Sequence, residues 1–235
     1  GRDGIVAIEQ SKTGETSLEI VEGMQFDRGY KSLYFVTDNN TMNALLDNPY
    51  ILIYNGRIGN VNELVNVLTL ANSETRALLI VAEDIDGEAL ALTIVNKARG
   101  VVKVAAVKAP EFGDRRTMAL EDLAVITGGQ VLSKDKGHKL DKIDVATLKQ
   151  VLGSARSAIV GKDKTTIVDG RGEEEAIKLR AEEIKTQIDG ATSPFAKFCI
   201  SLTVWEQKSM LWTFANPFFL KNSKENYSFS RKIDY

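Results

Sequence analysis

Apolar residues in this chain fall in short, nearly continuous runs that are separated by segments with helical spacing. Continuous runs of this length are typical of strands buried on both faces, and they predict four strands, at 50–54, 77–82, 101–107 and 165–168. The intervening periodicity predicts four helices, at 61–71, 87–99, 115–127 and 173–188. Gly100 and Gly128 are suited to end the second and third of these helices. Strands that alternate with helices indicate an α/β domain with some parallel pairing.

The first two predicted helices carry more apolar surface than one core face covers. In each helix, one set of apolar residues forms a single face and a second set widens that face. In the first helix the face is Val61, Leu64, Leu68 and Ala71, and Val65, Val67 and Leu70 widen it. In the second helix the face is Ala91, Leu92, Val95 and Ala98, and Leu90 and Ile94 widen it. Either both helices are buried between two layers, or their surplus surface lines a hydrophobic groove.

Composition narrows the possible partners. With 43% hydrophobic and 26% charged residues, the chain has the composition of a globular protein. A formal net charge of −2 gives no basic field for nucleic acid, and no apolar run reaches the roughly 18 residues of a membrane span. A single cysteine and a single histidine make a disulfide framework and a zinc site implausible. We expect neither a nucleic-acid nor a membrane partner, and no metal.

Candidate catalytic patterns have simpler explanations. In GKDKTT (161–166), Arg156 stands where a phosphate-binding loop requires glycine. Asp84, Asp86 and Glu88 are typical of a turn before a helix, and His138 lies in a charged segment with no nucleophile at a recognised spacing. We therefore predict no catalytic residue. Salt bridges between domains or subunits are the expected role of four charged residues: Arg28, Asp114, Arg115 and Arg116.

Five segments, in order along the chain, resemble the apical domain of the group I (GroEL-type) chaperonins: EGMQFDRGY (22–30), AEDIDGEAL (82–90), VKVAAVKAPEFGDRR (102–116), ITGG (126–129) and KDKTTIVDG (162–170). The resemblance covers about residues 1–195. It implies an α/β apical fold of the swivelling β/β/α type, with mixed sheets flanked by helices. Leu33 and Glu111 depart from the family pattern, which has proline and glycine there.

The resemblance also implies a function, because the family binds non-native polypeptides in a groove between two helices and an extended segment. The mobile loop of a GroES-type co-chaperonin enters the same groove. Carried over by motif, the groove residues are Tyr30, Tyr34, Phe35, Val65, Leu68, Leu90, Ile94, Val95 and Asn96. Apolar contacts suit this task because unfolded chains share exposed apolar groups rather than a sequence.

The same resemblance divides the chain into three parts. Residues 1–21 match a remnant of the intermediate domain, and Gly23 stands at a hinge. Residues 22–195 form the apical domain without the family's closing strand. After residue 195 the pattern stops, and ten of the seventeen aromatic residues lie beyond residue 190.

Further expectations concern the whole family. Its members form heptameric rings and hydrolyse ATP with Mg²⁺ in an equatorial domain whose phosphate-loop motif is absent from this sequence, so we expect no enzyme activity and no cofactor in this segment. Such proteins work in the bacterial cytoplasm, the mitochondrial matrix or the plastid stroma.

Two alternatives remain open. Beside the chaperonin segment stand an inactive truncated product whose hydrophobic tail (196–235) blocks the groove in cis, and an α/β enzyme with an unrecognised site.

Overall fold

A computed structural model describes residues 23–134 and 137–190 as a mixed α/β fold. The strands found in these residues are β1 (Gly23–Phe26), β2 (Ala44–Asp47), β3 (Tyr50–Ile58), β4 (Leu78–Ile85), β5 (Val104–Lys108), β6 (Leu132–Ser133), β7 (Gly153–Val160) and β8 (Thr165–Gly170). The helices are α1 (Asn62–Ser73), α2 (Gly87–Ala98), α3 (Gly113–Thr127), α4 (Val145–Val151) and α5 (Glu174–Gly190). Two 3₁₀ turns lie at Leu33–Phe35 and Leu140–Lys142.

The strands form one mixed sheet with a parallel and an antiparallel half. In the parallel half, β3 pairs with β4 and β6, and β4 pairs with β5. In the antiparallel half, β7 pairs with β8 and β2, and β8 pairs with β1. The two halves join where β3 meets β7, with Tyr50 opposite Ser154. A mixed sheet flanked by helices agrees with the α/β class expected from the sequence.

The parallel half determines where the first two helices lie. Helix α1 connects β3 to β4, and α2 connects β4 to β5, so the two helices run parallel to each other. Right-handed crossovers in the same direction across the sheet place both helices on one face. The return connection from β5 to β6 carries α3 across the opposite face, where Arg180 of α5 donates to Asp122 of α3 at 2.7 Å.

The core is centred on β3 and β4, whose side chains are buried on both faces, as their continuous apolar runs predicted. All four predicted strands and all four predicted helices are confirmed, with ends that shift by up to four residues. Helix α3 ends where predicted, at Gly128, which has the left-handed φ of 69°. The pattern did not predict β1, β2, β6, β7 or α4.

No helix among residues 23–134 and 137–190 is long and apolar enough to cross a membrane. Two segments identified from the sequence lie outside the described residues, namely the intermediate-domain remnant (1–21) and the aromatic-rich tail (196–235).

Candidate functional site

Helices α1 and α2 lie side by side because their N-terminal ends are tied together. The loop before α1 contacts the start of α2: Ala89 N donates to Gly59 O at 3.3 Å, and Asp86 N donates to Ile58 O at 3.1 Å. The Arg57 guanidinium also donates to the Asp86 carboxylate at 2.6 Å. We refer to the outward-facing surface between these two parallel helices as the groove.

Part of the surplus apolar arc on these helices is exposed. Val65 on α1 and Val95 on α2 each expose 43% of their surface, and Leu90 and Ile94 are half-buried. Another part of the arc on α1 is covered by the segment 140–151, where Asn66 Nδ2 donates to Ile143 O at 3.1 Å. Helix α1 is therefore buried on one side and open on the other.

An extended segment, 30–36, lies beside the end of α2. Tyr30 pairs with Val107 at the edge of β5, and Lys31 N donates to Ala106 O at 2.8 Å. The 3₁₀ turn within this segment exposes Leu33 by 62% and Tyr34 by 72%. The structure thus brings exposed apolar side chains from this segment and from both helices to one side of the sheet.

Two of the expected groove residues are buried, and the side chain of a third forms a hydrogen bond within its own helix. Phe35 has no exposed surface and Leu68 exposes only 6%, so both belong to the core beneath the groove. Asn96 Nδ2 donates to Leu92 O, one turn earlier in the same helix, at 2.8 Å. Tyr30 is half-buried, and its buried hydroxyl has no hydrogen-bond partner among the described residues.

Charged side chains hold the extended segment against the sheet. Lys31 Nζ lies 2.6 Å from Asp84 Oδ1, and Lys108 Nζ lies 3.2 Å from Asp84 Oδ2. Burial alone raises the pKa of the Asp84 carboxyl, but hydrogen bonds from both ammonium groups outweigh burial and lower that pKa below its usual value of 3.8. Asp84 is therefore ionised in the folded protein at neutral pH and bridges the segment to β5.

The N-terminal end of the helix pair is polar rather than apolar. A cleft of about 540 Å³ opens there, and its charged lining residues are Glu63, Glu88, Lys134, Lys139 and Asp141. Glu63 already accepts hydrogen bonds from the backbone amides of Gly59 and Asn60 at 3.3 Å, which satisfies the start of α1. The apolar surface is thus confined to the middle and the C-terminal end of the groove.

The remaining residues singled out in the sequence are dispersed. Gly23 begins β1, and Asp114 and Arg115 are exposed at the start of α3. Arg116 pairs at 2.7 Å with Glu83 of β4, so its salt bridge lies within this domain and not between domains. The Arg28 guanidinium lies 5.1 Å from the centre of the Phe112 ring, a cation–π contact in place of the expected ion pair.

Two residues near the groove were not assigned to it from the sequence. Leu33 was noted only as a departure from the family pattern, although an apolar residue in a predicted loop is itself a signal of an exposed contact. Lys97 stands among apolar residues in the last turn of α2 and reaches the extended segment. A lone lysine on an otherwise apolar helix gave a weak sequence signal for such a contact.

The arrangement can offer apolar contacts without directional chemistry. Among residues 23–134 and 137–190, no group of three or more acidic, histidine or cysteine side chains is placed to hold a metal ion. No model of a known protein family matches this chain.

Proposed function

We propose that this chain is the polypeptide-binding, apical segment of a group I chaperonin. In this proposal the groove between α1, α2 and the segment 30–36 binds non-native polypeptides and the mobile loop of a GroES-type co-chaperonin. The five collinear sequence segments support the assignment, and so does the mixed α/β fold that contains two parallel helices on one face of a sheet.

The observation that carries this proposal is the exposure of four apolar side chains on adjoining elements: Leu33, Tyr34, Val65 and Val95. Isolated exposed apolar residues are ordinary on protein surfaces, whereas a continuous apolar patch marks a binding site. Backbone hydrogen bonds at the start of the helices and the Lys31–Asp84 ion pair hold these elements in place.

Contacts of this kind favour promiscuous binding. Each apolar side chain of leucine size that becomes fully buried contributes about 1.5–3 kcal/mol, whatever the sequence around it. Ordering costs of about 0.5–1.5 kcal/mol for each immobilised side chain leave a single groove with modest affinity. A ring that displays several such grooves would gain affinity through multivalency, in keeping with the heptameric rings of the proposed family.

Charge introduced at exposed groove positions tests the proposal. In a Val65→Glu, Val95→Glu variant, both substituted side chains are already partly in water, so the fold should be retained. Leu68 is unsuitable because it is buried, and a charge there would unfold the domain. Leu179→Glu is a matched control, since Leu179 is 63% exposed on α5, away from the groove.

Two ligands serve as probes, namely fluorescently labelled, reduced and carboxymethylated α-lactalbumin, which stays unfolded, and a synthetic co-chaperonin mobile-loop peptide. We expect the double variant to bind both at least roughly tenfold more weakly than the wild type, and the Leu179 control to bind normally. Equal affinity of the double variant and the wild type would refute the groove assignment.

We also propose the wider features of the family for the protein to which this segment belongs. They include ATP and Mg²⁺ use by the full-length protein, assembly into heptameric rings, and a location in the bacterial cytoplasm or, alternatively, in the mitochondrial matrix or plastid stroma. Under this proposal, the present segment acts by binding and holding clients, and hydrolysis belongs to the equatorial domain.

A further inference from the structure

Lys97 links the two sides of the groove that lie farthest from the tied helix N-termini. From the last turn of α2, its Nζ donates to the backbone carbonyl of Tyr34 at 2.6 Å and to that of Val36 at 2.7 Å. These two carbonyls flank Phe35, whose ring is buried in the core. One ammonium group therefore connects α2 to the exposed 3₁₀ turn.

The turn does not use these carbonyls for its own hydrogen bonds. Its internal bonds run from Phe35 N to Ser32 O and from Val36 N to Leu33 O, both at 3.1 Å. The segment's other polar tethers lie earlier, at Tyr30 and Lys31, and the Phe35 ring anchors it by apolar packing. Lys97 is thus the described contact that ties the second half of the turn to α2.

We propose that Lys97 is a positioning residue of the groove, which fixes the turn carrying Leu33 and Tyr34 at a set distance from Val95 on α2. This inference rests on the proposed polypeptide-binding function. An ammonium group with three donors suits the role, because two of its donors can hold the two carbonyls. If the turn is already ordered before a client binds, less conformational entropy is lost on binding.

Burial is consistent with this role. Partial burial lowers the pKa of the Lys97 ammonium, since part of its hydration is replaced by protein. The two carbonyl oxygens supply the polar contacts that the group has lost from water. A lysine that served only solubility would extend into solvent instead.

Lys97→Met tests the inference in the 235-residue chain, because methionine keeps much of the stem and removes both hydrogen bonds. Lys97→Arg is the rescue variant, since a guanidinium can donate to two carbonyls. Lys103→Met controls for the loss of one positive charge, as Lys103 is exposed and precedes β5. The probe is labelled, reduced and carboxymethylated α-lactalbumin, and amide hydrogen exchange at Phe35 and Val36 reports the position of the turn.

We expect Lys97→Met to weaken α-lactalbumin binding about tenfold and to speed exchange at both amides, with thermal stability close to that of the wild type. Lys97→Arg should restore most of the affinity, and Lys103→Met should change neither quantity. Unchanged affinity in Lys97→Met, or unchanged exchange at both amides, would overturn the inference.

The two proposals fail in different ways. If the wild type does not bind α-lactalbumin, the polypeptide-binding function is wrong, and the exchange measurement still decides whether Lys97 positions the turn. If the wild type binds and Lys97→Met binds equally well, the proposed function stands and Lys97 has no positioning role.

Discussion

The ammonium group of Lys31 donates to the carboxylate of Asp84 at 2.6 Å, and this contact joins two residues that are 53 positions apart in the chain. Lys108 approaches the other carboxylate oxygen at 3.2 Å. The Lys31–Asp84 pair fixes the start of the extended segment to β4, next to the edge strand β5. The free energy that this ion pair contributes to folding should therefore depend on pH.

We predict that Asp84→Asn lowers the free energy of unfolding at pH 6 by about 1.5–3 kcal/mol, the usual worth of hydrogen bonds to a charged group. The pKa of Asp84 is lower in the folded protein than the usual value of 3.8. Near pH 3.8 the Asp84 carboxyl therefore binds more protons in the unfolded chain than in the folded one. The contribution of Asp84 is fully present above pH 3.8 and is lost as the pH falls through the lowered folded-state pKa. Urea unfolding of both proteins between pH 2.5 and 6 measures it.

The difference between wild type and Asp84→Asn should accordingly shrink as the solution becomes acidic. A difference that stays constant over the whole range would show that Asp84 titrates alike in the folded and unfolded chains. Asp47→Asn is a suitable control, because Asp47 is an exposed aspartate on β2.

Gly23 lies at the proposed hinge, and its environment requires glycine. Its φ is +152°, and a Cβ built on it would lie 1.9 Å from the carbonyl oxygen of Ile167 on the neighbouring strand β8. We predict that Gly23→Ala destabilises the domain by more than about 2 kcal/mol, since the backbone of β8 must move. Thermal or urea unfolding gives the value.

Gly100→Ala is a control that carries a conformational penalty without a steric clash. Gly100 also has a positive φ, +69°, but a Cβ there would meet nothing within 4 Å. Only the conformational penalty of about 1–2 kcal/mol is then expected. If the two substitutions proved equally costly, close packing against β8 would not be the reason for glycine at position 23.

The buried hydroxyl of Tyr30, which has no partner among the described residues, gives a prediction of the opposite sign. Tyr30→Phe removes a desolvated group and keeps the ring, so stability should rise by about 1 kcal/mol. Tyr50→Phe is the matched control, because the Tyr50 hydroxyl donates to Glu74 and its loss should destabilise the domain. Calorimetry on both variants tests the pair, and a destabilised Tyr30→Phe would contradict the prediction.

The sequence predicted the parallel half of the fold well and the antiparallel half poorly. Strands β3 and β4 are buried on both faces, so their apolar runs are unmistakable. Strand β7 carries Ser154, Arg156 and Ser157 and has little apolar signal, although it pairs with three other strands. Its position depends on those partners, and a local pattern does not contain them.

The burial of single groove residues was also not predictable from a local pattern. Val65 and Leu68 lie three positions apart on one apolar arc, yet the first is exposed and the second is buried. Which side of a wide arc is covered depends on the distant segment 140–151, which packs against α1. Phe35 is buried for a comparable reason, because the turn that carries it is held against the sheet edge and α2.

The aromatic-rich tail leads to the last prediction. Residues 191–235 contain ten of the seventeen aromatic side chains and carry a formal charge of +3, against −5 for residues 1–190. If this tail competes for the groove in cis, ending the chain after Gly190 should strengthen binding of unfolded α-lactalbumin by roughly tenfold, because a tethered competitor acts at a high effective concentration. Fluorescence anisotropy on the two chains measures the change.

The same truncation in the Val65→Glu, Val95→Glu background separates competition from a general effect of the tail. Removal of a competitor restores affinity only where a functional groove exists, so this background should show no gain. Equal affinity with and without the tail in the wild-type background would rule out self-blocking, and the chain would then hold clients as it stands. A gain in both backgrounds would place the effect of the tail outside the groove, since the charged variant has lost the apolar surface for which the tail is proposed to compete.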